Sequence, residues 1–266
     1  MRPIGLVLPL LATLAACQQA APPAAAPSHT AAAPAPTAPP EPAATARNAR
    51  ESTDLYEFDY SYPAAAAAIP ALRDWLEADL MRTRAGLASD AKEGRTDSKA
   101  NGYPFNPYSA GSAWQVVASL PGWLSLSATV SSFSGGAHPN SAFDALLWDK
   151  AANVRRAASD LFTSKAALKA AVLKPFCTEL TRERAKRRGD EALGDPTDEF
   201  NQCIDPLDQT VILGSKSHKA FDRIGFLIAP YNAGPYAEGS YEVTLPITPA
   251  VLAAVKPEYR AAFLAP

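Results

Sequence analysis

The chain is poor in the residues that most catalytic and metal chemistry is built from. Its 266 residues include three histidines, three cysteines and two methionines. His29 lies in an Ala/Pro-rich stretch and is set aside as a ligand, which leaves His138 and His218. These two do not fall in a His-Glu-x-x-His spacing, so no zinc site is expected, and no other metal or cofactor. There is also no Gly-x-Ser-x-Gly elbow to present a nucleophilic serine. Charge of one sign is lacking too: 25 Lys and Arg stand against 27 Asp and Glu, a net of -2, which argues against a nucleic-acid partner. No apolar run reaches the roughly 20 residues that a bilayer-spanning helix needs.

What is present begins with an export address. Met1 to Cys17 carries one positive charge at Arg2, an apolar stretch from Ile4 to Leu14, and small residues before a cysteine. Leu14-Ala15-Ala16-Cys17 resembles the bacterial lipobox, which implies cleavage before Cys17 and lipidation of that residue; the alternative is a plain secretory signal cut elsewhere. Gln18 in place of an aspartate resembles the outer-membrane sorting pattern, so the expected location is the cell envelope, lipid-anchored and facing the periplasm. Residues 18–52 are dominated by alanine and proline. Prolines remove donors and fix φ, so this stretch reads as a semi-rigid tether at ~3.1 Å per residue, reaching up to about 100 Å.

Residues 53–266 are enough for a sizeable core, as one domain or as two intimate sub-modules with a break near 135–160. With Cys17 consumed by lipid, Cys177 and Cys203 remain, and two cysteines in an exported chain most simply pair. The loop so closed would restrict the unfolded chain by about 3.5 kcal/mol in the entropy account. Two free buried thiols are the alternative.

Periodicity places the elements. Leu55 to Tyr62 alternates aromatic and polar residues and reads as a strand ended by Pro63. A helix follows from Ala64 or Pro70, with Ile69, Leu72, Leu76, Leu80 and Leu87 on one stripe, widened by Trp75 and Met81. Ala91 to Ser109 reads as loop, its aromatic end Tyr103-Pro104-Phe105-Asn106-Pro107-Tyr108 packed on the core by its rings or else forming a ligand-stacking edge. Trp114 to Leu120 is a strand, and Trp123 to Asp149 reads as strand, tight loop, strand. Ser164 caps a helix with an apolar face of Leu168, Val172, Phe176 and Leu180, which Pro175 should kink or interrupt. Its end carries Arg182, Arg184, Lys186, Arg187 and Arg188, read as cations favoured by the helix dipole, or else as a basic patch for anionic lipid or glycan. Asp190 to Asp208 is acidic and turn-rich; Asp195, Asp198, Glu199, Asp205 and Asp208 fit no EF-hand loop and read as solvated. Val211 to Leu213 and His218 to Ala229 read as strands. A second hairpin returns through Tyr241, Val243 and Leu245, and Thr248-Pro249 opens a terminal helix.

Two loop motifs stand out. The first is Ser134-Gly135-Gly136-Ala137-His138-Pro139-Asn140; the second runs from Pro230-Tyr231-Asn232 through Gly234-Pro235-Tyr236-Ala237-Glu238-Gly239. Together with Asp160-Leu161-Phe162, they resemble the paired domains of unknown function in the extracytoplasmic part of the anti-sigma factor RsiV and the N-terminal part of the peptidoglycan deacetylase PdaC. The resemblance covers roughly residues 54 to 255. It implies an α+β fold, a mixed and mostly antiparallel sheet with helices packed on it. It also implies ligand binding, since RsiV is a lysozyme receptor and PdaC acts on cell-wall glycan. The candidate binding residues are Gly135, Gly136, His138, Pro139, Asn140, Tyr231, Asn232, Tyr236 and Glu238, and no catalytic residue is assigned. A Ser-His-Asp set can be written down from Ser134 or Ser141 with His138 and Asp144, but His138 has a good structural reading in a glycine-bearing turn. The expectation is a non-catalytic, lipid-anchored envelope module for a lysozyme-like protein or peptidoglycan. The alternatives are a cell-wall hydrolase and a purely structural lipoprotein.

Overall fold

The structure, a computed structural model, describes residues 44–189 and 198–265. The expected signal (1–17), the lipidation residue Cys17, most of the tether and Asp195 lie outside the described residues. The fold is α+β, with one six-stranded mixed sheet, one three-stranded antiparallel sheet, and helices packed on both.

The large sheet has the order β1 (Arg47–Ser52), β2 (Tyr56–Tyr62), β3 (Tyr108–Ser119), β4 (Trp123–Phe133), β5 (Asn140–Asp149) and β6 (Val154–Arg156). Strand β1 falls inside the stretch read as tether. Arg-Asn-Ala-Arg-Glu-Ser has no apolar alternation, and it forms a strand because it hydrogen-bonds along the edge of β2, in register from Arg47 with Tyr62 to Ser52 with Glu57. Strands β2 and β3 are parallel, and the other pairs are antiparallel.

A parallel pair needs a crossover, and here it is a short helix α1 (Ala64–Ala67) followed by the long helix α2 (Pro70–Asn101). The helix therefore runs through residues 91–101, which were expected to be loop. That turn-rich polar stretch stays helical because Ala91 and Ser98 face the sheet and Arg95 holds Asp54 at 2.5 Å. Gly102, in the left-handed region at φ 72, ends the helix. Leu72, Leu76, Leu80 and Leu87 are buried as the stripe predicts, whereas Met81 faces solvent and Trp75 is half-buried, stacked under Arg155. Alternate residues of β2 (Tyr56, Phe58, Tyr60 and Tyr62) face α2. The Tyr60 hydroxyl donates to Asp79 and accepts from the Trp114 indole. Burial, then Glu77, push the Tyr62 hydroxyl up to about 12.

Helix α3 (Lys165–Arg188) runs unbroken through Pro175, whose expected interruption does not occur. Ser164 caps it, its hydroxyl accepting the Ala167 N–H at 3.0 Å. The face of Leu168, Val172, Phe176 and Leu180 is fully buried. It packs on the small sheet of β7 (Thr210–Gly214), β8 (Arg223–Ile228) and β9 (Tyr241–Pro246), with Phe176 edge-on to Phe226. Strand β8 starts later than the expected His218, because His218 sits in a turn with φ 58. Thr248 caps the short α4 (Pro249–Ala254) as expected. Strand β5 serves two cores: Leu146 and Trp148 join the one under α2, and Leu147 joins the one under α3. Cys177 and Cys203 are disulfide-bonded, which accords with folding in an oxidising, extracytoplasmic compartment. No helix among the described residues is long and apolar enough to cross a membrane.

Candidate functional site

The β4–β5 connection is the first motif loop. Gly135 and Gly136 hold φ of 94 and 100, values that residues with a Cβ rarely adopt, and so turn the chain toward His138. The His138 Nδ1 faces the Pro139 carbonyl at 3.0 Å and therefore carries the proton in the neutral ring; Nε2 accepts from the Tyr231 hydroxyl at 3.2 Å. Tyr231 and Tyr236 belong to the second motif loop, between β8 and β9. The Tyr236 ring stacks on the imidazole with centroids 3.8 Å apart and planes 18° from parallel. Its hydroxyl donates to the same Pro139 carbonyl at 2.8 Å. Tyr231 completes the cluster, 5.5 Å from the Tyr236 ring and 6.2 Å from the imidazole. The two motif loops are thus one surface.

Tyr231 is unusual in two respects. It is 52% exposed, and its backbone sits at φ 71. A bulky residue there costs of order 1–3 kcal/mol, and such strain collects at functional sites.

The second loop is held from below by α3. Arg188 makes a two-pronged pair with Glu238, Nε to Oε1 and Nη2 to Oε2, each at 2.8 Å. Arg187 donates to the Glu238 carbonyl at 2.6 Å and lies 3.8 Å over the Tyr241 ring. The Tyr241 hydroxyl donates to the Glu238 carboxylate. Arg184, 2% exposed, donates to the carbonyls of Ala233 at 2.8 Å and Gln202 at 2.9 Å. Gly234 is glycine because a Cβ there would lie 2.1 Å from the Glu238 carboxylate. Burial pushes the Glu238 carboxyl up, but Arg188, the Tyr241 hydroxyl and the charge of Arg184 outweigh it, so its affinity for a proton falls below the ordinary value. Burial, then Glu238, raise the Tyr241 hydroxyl.

The structure therefore brings four of the expected residues together: His138, Pro139, Tyr231 and Tyr236. The other five have these places in the structure. Gly135 and Gly136 shape the turn; Asn140 pairs with Ser132 in the sheet ladder; Asn232 donates to Gln209; and Glu238 faces inward to Arg188. The Ser-His-Asp set does not assemble, since the ring nitrogens of His138 face Pro139 and Tyr231, and Asp144 accepts from the Ala145 backbone N–H. Among the described residues, no group of three or more His, Cys, Asp or Glu could hold a metal ion.

Arg184, Arg187 and Arg188 have a role that sequence reasoning missed. Lys186, Arg187 and Arg188 stand in the last turn of α3, as the dipole reading has them, and Arg184, Arg187 and Arg188 also support the second loop. The signal was present in the spacing: Leu168, Val172, Phe176, Leu180 and Arg184 fall every fourth residue, so Arg184 continues the buried stripe, with the half-buried Arg188 one turn further on.

Residues 49–141 match the family model described as Deacetylase PdaC. The match ends at the foot of the first motif loop and covers well under half of the chain, and the second loop lies beyond it. A solved DUF3298-family protein from Bacteroides fragilis aligns with 76% of this chain and 89% of its own, at 18% identity and a TM-score of 0.53, which shows a shared fold. A DUF3298-family protein from Pseudomonas aeruginosa aligns with 80% of this chain and 95% of its own, at 15% identity and a TM-score of 0.44. No curated protein matches. The resemblance to PdaC-type domains read from the two loops thus has a counterpart in both sequence and fold.

Proposed function

We propose that this chain is a non-catalytic recognition module of the cell envelope, held by lipid at Cys17 and presented to the periplasm by its Ala/Pro-rich tether. Its ligand is a lysozyme-like protein or peptidoglycan, bound by the joined loops around His138, Tyr231 and Tyr236. The observation that carries this reading is the stack of His138 on Tyr236, which fuses loops distant in sequence into one partly exposed aromatic surface. Tyrosine is suited to that task, offering a rigid ring for contact and a hydroxyl for hydrogen bonding. The strained, exposed backbone of Tyr231 supports the same reading.

The second reading, a hydrolase acting on cell-wall material, draws on the deacetylase in the matched model's name. Pulldown of the full chain with lysozyme and with purified sacculi separates the two. Retention of one partner without release of soluble product, weakened about tenfold or more in Tyr231→Ala, is the expected result, since centrally placed tyrosines commonly dominate binding energy. Product release that disappears in His138→Ala would establish the enzyme. Failure to bind either partner leaves a structural lipoprotein.

A further inference from the structure

Where β5, β7 and the head of α3 meet, the fold leaves a cavity of about 220 Å³. Its frame is fixed by the Thr210 hydroxyl at the start of β7, which donates to the Phe143 carbonyl of β5 at 3.0 Å. The cavity is lined by two opposite charges, Asp144 on β5 and Lys165 at the first position of α3. One Asp144 oxygen accepts the Ala145 N–H at 2.7 Å, which orients the carboxylate; the other has no partner among the described residues. The Lys165 ammonium has none either. The two charges thus share one cavity without pairing with each other. Neighbouring charges are already engaged: Asp160 accepts the Ala157 N–H at 2.8 Å, and Lys169, one turn on from Lys165, is paired with Asp205. Much of the remaining lining is small and apolar, with Ala158 and Val211 in it, beside the Ser159 hydroxyl.

One acid and one base that face the same cavity and do not neutralise each other select a ligand that carries both signs. Each of its charges gains a charge-assisted hydrogen bond, whereas a ligand of one sign leaves the opposite wall unmatched. The cavity is smaller than the roughly 300–1,000 Å³ of sites for drug-sized molecules, so it admits a headgroup rather than a whole large ligand. We propose that it is a subsite for a zwitterionic α-amino-acid headgroup, free or at the end of a larger molecule. Asp144 takes the ammonium, Lys165 takes the carboxylate, and Ala158 and Val211 meet a small side chain. The subsite adjoins the aromatic surface. Gln209 lines the cavity, and its Oε1 accepts from the side chain of Asn232, the neighbour of Tyr231, at 3.0 Å. The Gln209 Nε2 donates to the Asp205 carbonyl at 3.3 Å, which holds the amide in that orientation. A ligand of the aromatic surface that carries such a headgroup reaches the cavity past Gln209. That link rests on the recognition reading above; the subsite itself does not.

The test is an amide NMR titration of the full-length protein with alanine, N-acetylalanine and alaninamide, the last two each lacking one charge. Alanine should give saturable shifts at the Ala145 and Thr210 amides and at the Gln209 side-chain amide, with the millimolar affinity that suits so small a contact. Both blocked forms should bind about tenfold more weakly or worse, because each leaves one charge without its partner. Asp144→Asn should weaken alanine about tenfold and narrow its lead over N-acetylalanine, and Lys165→Gln should do the same relative to alaninamide. Both side chains are exposed, so the amides of β4 should keep their positions in either variant. Nε-acetyllysine, which carries the headgroup at the end of a long chain, separates the sources. Binding tighter than that of alanine identifies a headgroup borne on a larger molecule; equal or weaker binding identifies a free amino acid. Absence of saturable shifts at the three reporters overturns the proposal, and so does equal affinity for the three alanine forms. Alanine binding should persist in Tyr231→Ala. A failed titration therefore removes this subsite and leaves the aromatic surface as it was, whereas a failed pulldown does the reverse.

Discussion

Single residues decide whether the aromatic surface exists. Gly234 lies under the Arg188–Glu238 pair, where a methyl group has no room. Gly234→Ala should therefore break that pair and destabilise the fold by about 1–3 kcal/mol, as overpacking does; a thermal melt and the loss of the Arg188 side-chain resonance shift would register it. Glu238 makes the loop acid-sensitive. Its carboxyl is held below the ordinary range in the fold, so the unfolded chain binds the proton first and the stabilisation is complete above the usual carboxylate pKa. It is lost as pH falls through the lowered, folded value. Acid titration should loosen the loop below about pH 4, and Glu238→Gln should flatten that part of the curve. Little of this was legible beforehand. The motif singles out Glu238, but its pairing with Arg188, 50 positions away, spans a separation that local patterning does not register.

At the scale of elements, periodicity served where a face is apolar. The α3 stripe is one such face, and Phe176, fully buried against Phe226, is its centre. Phe176→Ala should cost about 3–5 kcal/mol, and Ser164→Ala at the cap about 1 kcal/mol, both measurable by urea denaturation. Periodicity failed where an element is polar all round. The last third of α2 buries little beyond Ala91 and Ser98 and depends on the Arg95–Asp54 pair, so its composition resembles a loop. Strand β1 escaped notice for the same reason, its pairing supplied by the backbone of β2 rather than by its own side chains. The first motif loop was readable because two hydrophobic strands and a glycine pair delimit it. Its contact with the second loop was not, because that contact exists only in three dimensions.

For the whole molecule, β5 ties the two cores together by sending Leu146 and Leu147 to opposite sides. Neither core can be dismantled without exposing residues of the same strand, so urea unfolding of the oxidised protein should give coincident transitions by tryptophan fluorescence and far-UV circular dichroism. The outer rim of the large sheet has a different consequence. On β1 the side chains of Arg47, Arg50 and Glu51 are ion-paired to Glu77, Asp59 and Arg84, projecting charge to either side of a strand whose outward backbone has no sheet neighbour among the described residues. An approaching strand from another molecule would have to strip water from those groups before a single ladder bond could form. Copies of this domain can therefore crowd together without zipping edge to edge. Replacing Arg50 and Asp59 with threonine and valine should remove that insulation and yield concentration-dependent dimers by analytical ultracentrifugation, where the unaltered chain shows none through this rim.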